Sequence, residues 1–380
     1  MNWKTPAEAL ADHVTHRASR WAHPVATVPR HQFVPRWWDR GVDGWELHDG
    51  PTDPEAWQAA AYRDISLVTS VEGRHADRAT TVDRPYGAPT SSATLPSLLV
   101  RMFQHAQIED CDNVLDVGTG SGYGTALLAR RLSPEQVTSV DVDAYLIKAA
   151  RDRLASIGLE PALIEADATG PLPVEAGSID RVVATVGVRP IPSAWLRALC
   201  LGGRLVTTLA GTSLIITAEK TADGGATGRV EWDRAGFMPT RHSSGGYSDD
   251  ARALLNKAAV HDGDDVSRGP YPVVSVVDAW DLASMLELTV PGIAHEYRED
   301  GDQRTALMAH ADGSWARATA IGSDRPTVHQ GGPRRLWDAL DECRTYWLNE
   351  GELPVRGARV FIRPDGATFL ARGKWHVTLT

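Results

Sequence analysis

From Asn113 the apolar residues first alternate and then give way to glycine. Val114, Leu115 and Val117 read as a buried strand, glycines follow at 118, 120, 122 and 124, and good helix formers run on to Leu132. The order is strand, glycine turn, helix. It repeats downstream, with a strand over 137–141, a helix from Ala144 to Ile157 ended by Gly158, and a strand from Ala162 to Glu165. Ile179 to Val186 reads as a strand of the buried parallel kind. A helix from Pro192 to Leu199 then leads into Gly202-Gly203-Arg204-Leu205-Val206, which opens another strand. Strands alternating with helices predict an α/β fold with a doubly wound, mostly parallel sheet.

The flanks are patterned differently. Thr5 to Trp21 predicts a helix with Thr5 as its N-cap and Pro6 in its first turn, and the two prolines of Val28 to Pro35 prevent its continuation. Thr69 to Pro89 is polar and without periodicity, a loop that either folds over a site or is a plain surface insertion. Beyond the sheet, Ser213 to Pro239 predicts strands around the turn Ala222-Asp223-Gly224-Gly225. Ser243 to Pro270, with Ser243-Ser244-Gly245-Gly246, reads as a connection plus a short helix near Ala251 to Val260. Further strands are expected around Val273 to Val277, Thr305 to His310, Ser314 to Ala320, Arg359 to Arg363 and Thr368 to His376, with Asp-Gly turns between the later pairs. A helix from Pro333 to about Asn349 carries Leu336, Leu340, Cys343 and Trp347 on one face. The expected organisation is an N-terminal helical segment (1–90), a sheet domain (91–242), a linker (243–270) and a smaller C-terminal α+β domain (271–380).

Composition narrows the partners. At 380 residues and 42% hydrophobic the chain can bury a substantial core, and its net charge of −10 argues against nucleic acid and mildly for a cationic peptide. Three cysteines, at 111, 200 and 343, form no C-x-x-C pair, which points to a reducing cytoplasm and to neither a disulfide framework nor a zinc site. No run reaches the ~20 apolar residues of a membrane span, and no signal peptide is expected. His13 and His16 share a helical face, but without a third ligand no metal is expected. Among 13 tryptophans, Trp37, Trp38, Trp45 and Trp57 either line a peptide groove or fill the core.

The glycine turn carries the chemistry. A dinucleotide fingerprint fails here, because counting from Gly118 the last glycine position holds Tyr123, and counting from Gly122 it holds Leu127. No phosphate-loop lysine follows. What stands is acid-x-Gly-x-Gly-x-Gly, Asp116 to Gly122, with a second acid, Asp141, ending the next strand. This resembles the S-adenosylmethionine turn of the Rossmann-like class I methyltransferases; the alternative is an ordinary strand-to-helix turn with solvated aspartates. The resemblance implies that Asp141 accepts the ribose hydroxyls, Asp116 faces the ligand's amino group and Asp167 accepts from the adenine. It further implies that Gly118, Thr119, Gly120, Gly122, Tyr123, Val142, Ala168 and Val186 complete the cofactor site, with S-adenosylhomocysteine as product.

A sharper resemblance spans residues 20 to 242. Val-Pro-Arg-His-x-Phe-Val-Pro at 28–35, Ala61 to Leu67, a hydroxyl-rich loop ahead of the turn, and Phe237-Met238-Pro239 follow the order of the protein L-isoaspartyl O-methyltransferases. Their T-x-S-x-P loop corresponds to Ser92-Ala93-Thr94-Leu95-Pro96, which puts Thr94 at the active-site serine and implies catalytic roles for Thr94 and Ser92. Ser91, Ser92, Thr94, Leu95, Gly187, Val188 and Arg189 are the implied substrate contacts. A carboxylate is ionised at neutral pH and requires no general base, so a hydroxyl that aims it is sufficient help; the same hydroxyls could instead cap the helix at Pro96. The C-terminal extension and its segment His329 to Trp337 are similar to the methyltransferases that tailor ribosomally made bacterial peptides. The reading from sequence is therefore an aspartyl carboxyl O-methyltransferase acting on such a peptide, linear or cyclised, as a monomer, giving an ester that collapses to aspartimide. The alternatives are isoaspartyl repair and a non-catalytic peptide-binding module.

Overall fold

The computed structural model describes residues 2–41, 44–241 and 250–379. Its centre is a ten-stranded sheet. Five strands, Leu199–Leu209, Ile179–Val188, Val114–Val117, Val137–Asp141 and Ala162–Glu165, pair in parallel in that order. Helices Tyr123–Arg131 and Ala144–Ser156 make the crossovers. Leu115, Val182, Val183, Leu205 and Val206 are fully buried between the layers, as strands covered on both faces require. The expected α/β doubly wound sheet is present.

The sheet does not stop where the sequence pattern suggested. Antiparallel strands Leu214–Lys220 and Ala226–Arg234 extend it, and Arg359–Ile362, Thr368–Arg372 and Trp375–Leu379 pair onto that edge. The end of the chain thus belongs to the central sheet, because Ala226 to Arg229 expose ladder groups that only a distant strand can satisfy. Of residues 271–380, the strands within 359–379 extend the central sheet, while those between 294 and 331 build a sheet of their own. A second sheet of five strands holds Asp265–Arg268, Thr327–Gly331, Trp315–Ile321, Gln303–Ala309 and Ala294–Asp300. The first of these, with helix Asp250–Val260 packed on the others, comes from the stretch expected to be a linker. Ser243 to Gly246 and the boundary at 242 lie outside the described residues.

Residues 273–277 form no strand, and Trp280–Thr289, without a 3.6-residue polar face, is a helix. The helix Leu336–Glu350 buries Leu336, Leu340 and Cys343, but Trp347, on the same stripe near the helix end, is 45% exposed.

The N-terminal segment is not simply helical. The first helix is Lys4–Val14 with Trp3 as N-cap; it ends where Thr15 turns extended, and a second begins at Ala22. Strands Arg36–Gly41, Gly44–Asp49, Leu67–Val71, Arg74–His75 and Pro89–Ala93 then build a small sheet. Trp37 packs with the helices and Trp38 with Trp45, Val71 and Ala76 on the opposite face, so both neighbours are buried despite alternation. Trp37, Trp38 and Trp45 are core, not groove, and Trp57 is half-buried with its Nε1 donating to Val34 O at 2.7 Å.

Candidate active site

Asp116 and the glycine turn leave the sheet at the carboxyl ends of its parallel strands, the edge on which such sheets bind ligands. Gly118 has φ +96°, and a Cβ there would stand 3.0 Å from Val186 Cγ1 and 3.1 Å from Thr185 Oγ1. Gly122 has φ +89°, and its Cβ would stand 2.9 Å from that of Ala150. Backbone sign and close approach both demand glycine at these two positions.

Asp116 is 2% exposed. Its Oδ2 accepts from Thr125 Oγ1 at 2.7 Å and Ser139 Oγ at 2.9 Å, and Ser139 is 2.6 Å from Thr119 Oγ1. Among the described residues nothing donates to Oδ1, and Asp116 lines a cavity of about 290 Å³. Burial pushes its carboxyl up to about 6, against the two hydroxyl hydrogen bonds. A cation entering the cavity would find a held, under-solvated acid.

Asp141 closes the same corner. Its Oδ2 accepts from Gly120 N at 2.9 Å and its Oδ1 from Asp143 N at 3.1 Å, while burial raises its pKa against these bonds. Each carboxylate oxygen keeps a further lone pair, and the residue lines the cavity. Asp167 and Ala168 line it too; Asp167 Oδ1 accepts from Thr169 N at 2.9 Å, and Ala168 O accepts from Trp195 Nε1 at 2.8 Å.

Opposite stands the hydroxyl segment. Pro89–Ala93 pairs with Leu67–Val71, and the fully buried Arg30 gathers the carbonyls of Ala61, Arg63, Ile65, Ala93 and Thr94 at 2.8–3.3 Å. The helix Pro96–Ala106 is capped from outside: Ser97 N donates to Asp64 Oδ1 at 2.9 Å and Leu95 N to Ser66 Oγ at 3.1 Å. The expected capping role of the loop hydroxyls is thus taken by Asp64 and Ser66. Thr94 and Ser92 line the cavity, and neither hydroxyl is hydrogen-bonded within the described residues. Ser91 Oγ, in contrast, accepts from Thr69 at 2.9 Å.

Thr94, Ser92, Ser91, Leu95, Asp116, Gly118, Thr119, Gly120, Tyr123, Asp141, Val142, Asp167, Ala168 and Val186 therefore meet at one cavity. Four expected contacts do not: Gly122 packs against Ala150 behind the turn, and Gly187, Val188 and Arg189 are engaged elsewhere. Val188 is 1% exposed in the core, and Arg189 turns to Glu287, donating to its carbonyl at 3.1 Å. Gly187 acts through its backbone, donating to Met238 O and accepting from Thr240 N, both at 2.8 Å. Those bonds hold Gly236 to Arg241 as a cavity wall, and Arg241 Nη2 donates to Thr90 O at 3.0 Å. The wall was missed as a contact surface because only Phe237-Met238-Pro239 marked it, with no reactive side chain among the three. The polar stretch from Thr69 is neither cover nor free loop. It docks on helix Ala144–Ser156 through His75 Nε2 to Asp143 Oδ2 at 3.0 Å and Tyr145 OH to Asp77 at 2.9 Å, and between 70 and 88 it gives the cavity no side chain.

The segment likened to peptide-tailoring enzymes joins strand to helix. Gln330, 1% exposed, accepts from Trp337 N at 2.8 Å and donates to Asp338 at 2.8 Å, so its side chain seats the helix start.

A glycine corner flanked by one buried and one half-buried acid at the edge of a doubly wound sheet defines a class I methyltransferase. The chain belongs to the protein-L-isoaspartate(D-aspartate) O-methyltransferase family, whose description matches residues 54–244. Protein-L-isoaspartate O-methyltransferase 2 of Pelobacter propionicus is 36% identical over 121 residues, 32% of this chain and 52% of that protein. The enzyme of the same name from Ignicoccus hospitalis is 30% identical over 145 residues, 37% of this chain and 68% of its own length. A solved protein-L-isoaspartate O-methyltransferase covers 99% of this chain and 98% of its own at 17% identity with a TM-score of 0.50, which shows a shared fold. The chain thus spans about half to two thirds of the curated relatives it matches. S-adenosylmethionine is the family's cofactor, and the residues fit it: an acid with an unused oxygen for its ammonium group, an acid with spare lone pairs for its ribose, and glycines that admit it. Among the described residues no helix is long and apolar enough to cross a membrane, and no three His, Cys, Asp or Glu residues group as metal ligands.

Proposed function

We propose that this chain transfers a methyl group to the free carboxylate of an isoaspartyl residue in a polypeptide. The observation that carries the reading is the single cavity joining the Asp116–Asp141 corner to the unengaged hydroxyls of Ser92 and Thr94. Bound at the corner, S-adenosylmethionine supplies a methyl on a sulfonium, activated before the protein acts. The protein's work is placement. Asp116 and Asp141 fix one partner, the wall 236–241 and Leu95 exclude water, and the Thr94 hydroxyl donates to the incoming carboxylate while leaving its charge intact. One oxygen–carbon bond forms as the sulfur–carbon bond breaks, so the carboxylate's negative charge and the sulfonium's positive charge vanish together and no proton moves. The methyl ester is then open to attack by the next backbone nitrogen, which expels methanol and closes a succinimide. Incubation with the cofactor and a short isoaspartyl peptide should add one methyl to the peptide and then release methanol; an unmodified peptide rejects the reading.

A second reading, tailoring of an aspartate in a ribosomally made peptide, is favoured by Thr94, whose extra methyl and stiffer χ1 narrow the place of the family's serine. It requires turnover of an aspartyl side chain. Equal or faster methylation of an aspartyl peptide than of its isoaspartyl isomer would select it.

A further inference from the structure

Three indoles are left in water around one groove. Strand Ala226–Arg234 ends beside helices Trp280–Thr289 and Leu336–Glu350, and together they border a cavity of about 480 Å³, a size ordinary for ligand sites. On its rim Trp232 is 64% exposed, Trp347 45% and Trp280 39%. Clustered exposed indoles mark a binding surface, because they give large contact area at little entropic cost.

The charges are uneven. Arg356, buried at the base, is held by Asp281 Oδ1 at 2.8 Å and by the carbonyls of Ser213 and Asp233. Glu352 accepts from Arg372 at 2.7 Å, beside the face of Trp232. Arg234 has no carboxylate partner among the described residues; its guanidinium lies 4.3 Å from the centre of the Trp280 ring. One positive charge is therefore displayed on an indole face, a setting that takes a carboxylate next to an apolar side chain.

The groove adjoins the methyl-transfer cavity along the chain. Arg234 lines the first and Gly236 the second, so their Cα atoms are at most about 7 Å apart. A polypeptide seated with its reacting residue in the cavity has the groove within reach of its neighbours.

We propose that the groove of Trp232, Trp280, Trp347 and Arg234 is an exosite for an acidic, aromatic or aliphatic segment of the substrate polypeptide, within about five residues of the methylated one. The proposal rests on the polypeptide methyltransferase reading and names what that substrate carries besides its reacting acid. The test compares a neutral isoaspartyl pentapeptide with two extensions bearing Phe-Glu-Leu-Glu on the N-terminal or C-terminal side. At least one extension should lower KM about tenfold with kcat unchanged, and Trp280→Ala and Arg234→Gln should each abolish that gain without altering the pentapeptide's KM or affinity for S-adenosylhomocysteine. Equal KM for all three peptides, or variants that raise every KM alike, would overturn it. Calorimetry with the extended peptides carrying asparagine at the reacting position reads the groove even if no peptide is methylated: binding lost in Arg234→Gln supports the exosite, and absent binding overturns it. A wild-type dimer in sedimentation that Arg234→Gln dissolves would assign the groove to a second copy instead and overturn it.

Discussion

Arg30 Nη2 donates to the carbonyl of Thr94 at 3.3 Å, joining a buried cation to the hydroxyl segment across 64 residues of sequence. The same guanidinium holds four more carbonyls, so it positions Thr94 through the backbone without touching the reacting atoms. Arg30→Lys keeps the charge but cannot span the fork. Several buried carbonyls would lose donors at roughly 1–3 kcal/mol each. Urea unfolding should show a loss of about 3 kcal/mol or more, and kcat should fall further than occupancy of the folded state explains.

The carboxyl of Asp116 lies near 6 because of burial, above its unfolded value. Its contribution to stability is therefore complete below about pH 4 and is lost as pH rises through about 6. Cofactor binding runs the other way, since an ammonium group favours the ionised acid. Affinity for S-adenosylhomocysteine, followed by calorimetry from pH 5 to 8, should drop up to about tenfold per pH unit below 6 and level off above it. Asp116→Asn should bind weakly with that slope removed; a wild-type affinity flat from pH 5 to 8 contradicts the assignment.

Thr94→Ala should leave stability within about 0.5 kcal/mol, because its hydroxyl makes no hydrogen bond within the described residues and the helix cap is Asp64. Methyl transfer should slow at least about tenfold, as for loss of one hydrogen bond to a charged group, with cofactor affinity preserved. Thr94→Ser restores the hydroxyl and should recover most of the rate. Full activity in Thr94→Ala would remove the residue from the mechanism.

Asp141→Ala deletes the acceptor of Gly120 N as well as the proposed ribose contact. Loss of charge-assisted bonds worth roughly 1.5–3 kcal/mol should weaken S-adenosylhomocysteine by about 10- to 150-fold. Unchanged affinity by calorimetry would displace the cofactor from this corner.

Asp64→Ala tests the external cap. Removing the acceptor of Ser97 N should cost about 1 kcal/mol in urea unfolding, the usual value for a capping side chain.

The sequence by itself determined what short-range physics writes into a few residues. Alternating apolar positions at 114–117 and 137–141 and glycines where a Cβ would collide set the strands, the turn and its two acids, and Asn113 to Leu132 announced the cofactor corner. The order Ser92-Ala93-Thr94-Leu95-Pro96 likewise placed the hydroxyls. Only the tertiary structure decided what depends on partners remote in sequence. Arg359 to Ile362 joins the central sheet because its edge at Ala226 to Arg229 needs hydrogen bonds, and no local pattern encodes which edge a strand will find. Trp37 and Trp38 are both buried because their two faces meet different layers, and Arg189 leaves the site because Glu287 lies near it. Side-chain direction and long-range pairing are settled by packing, which alternation along one stretch of chain cannot specify.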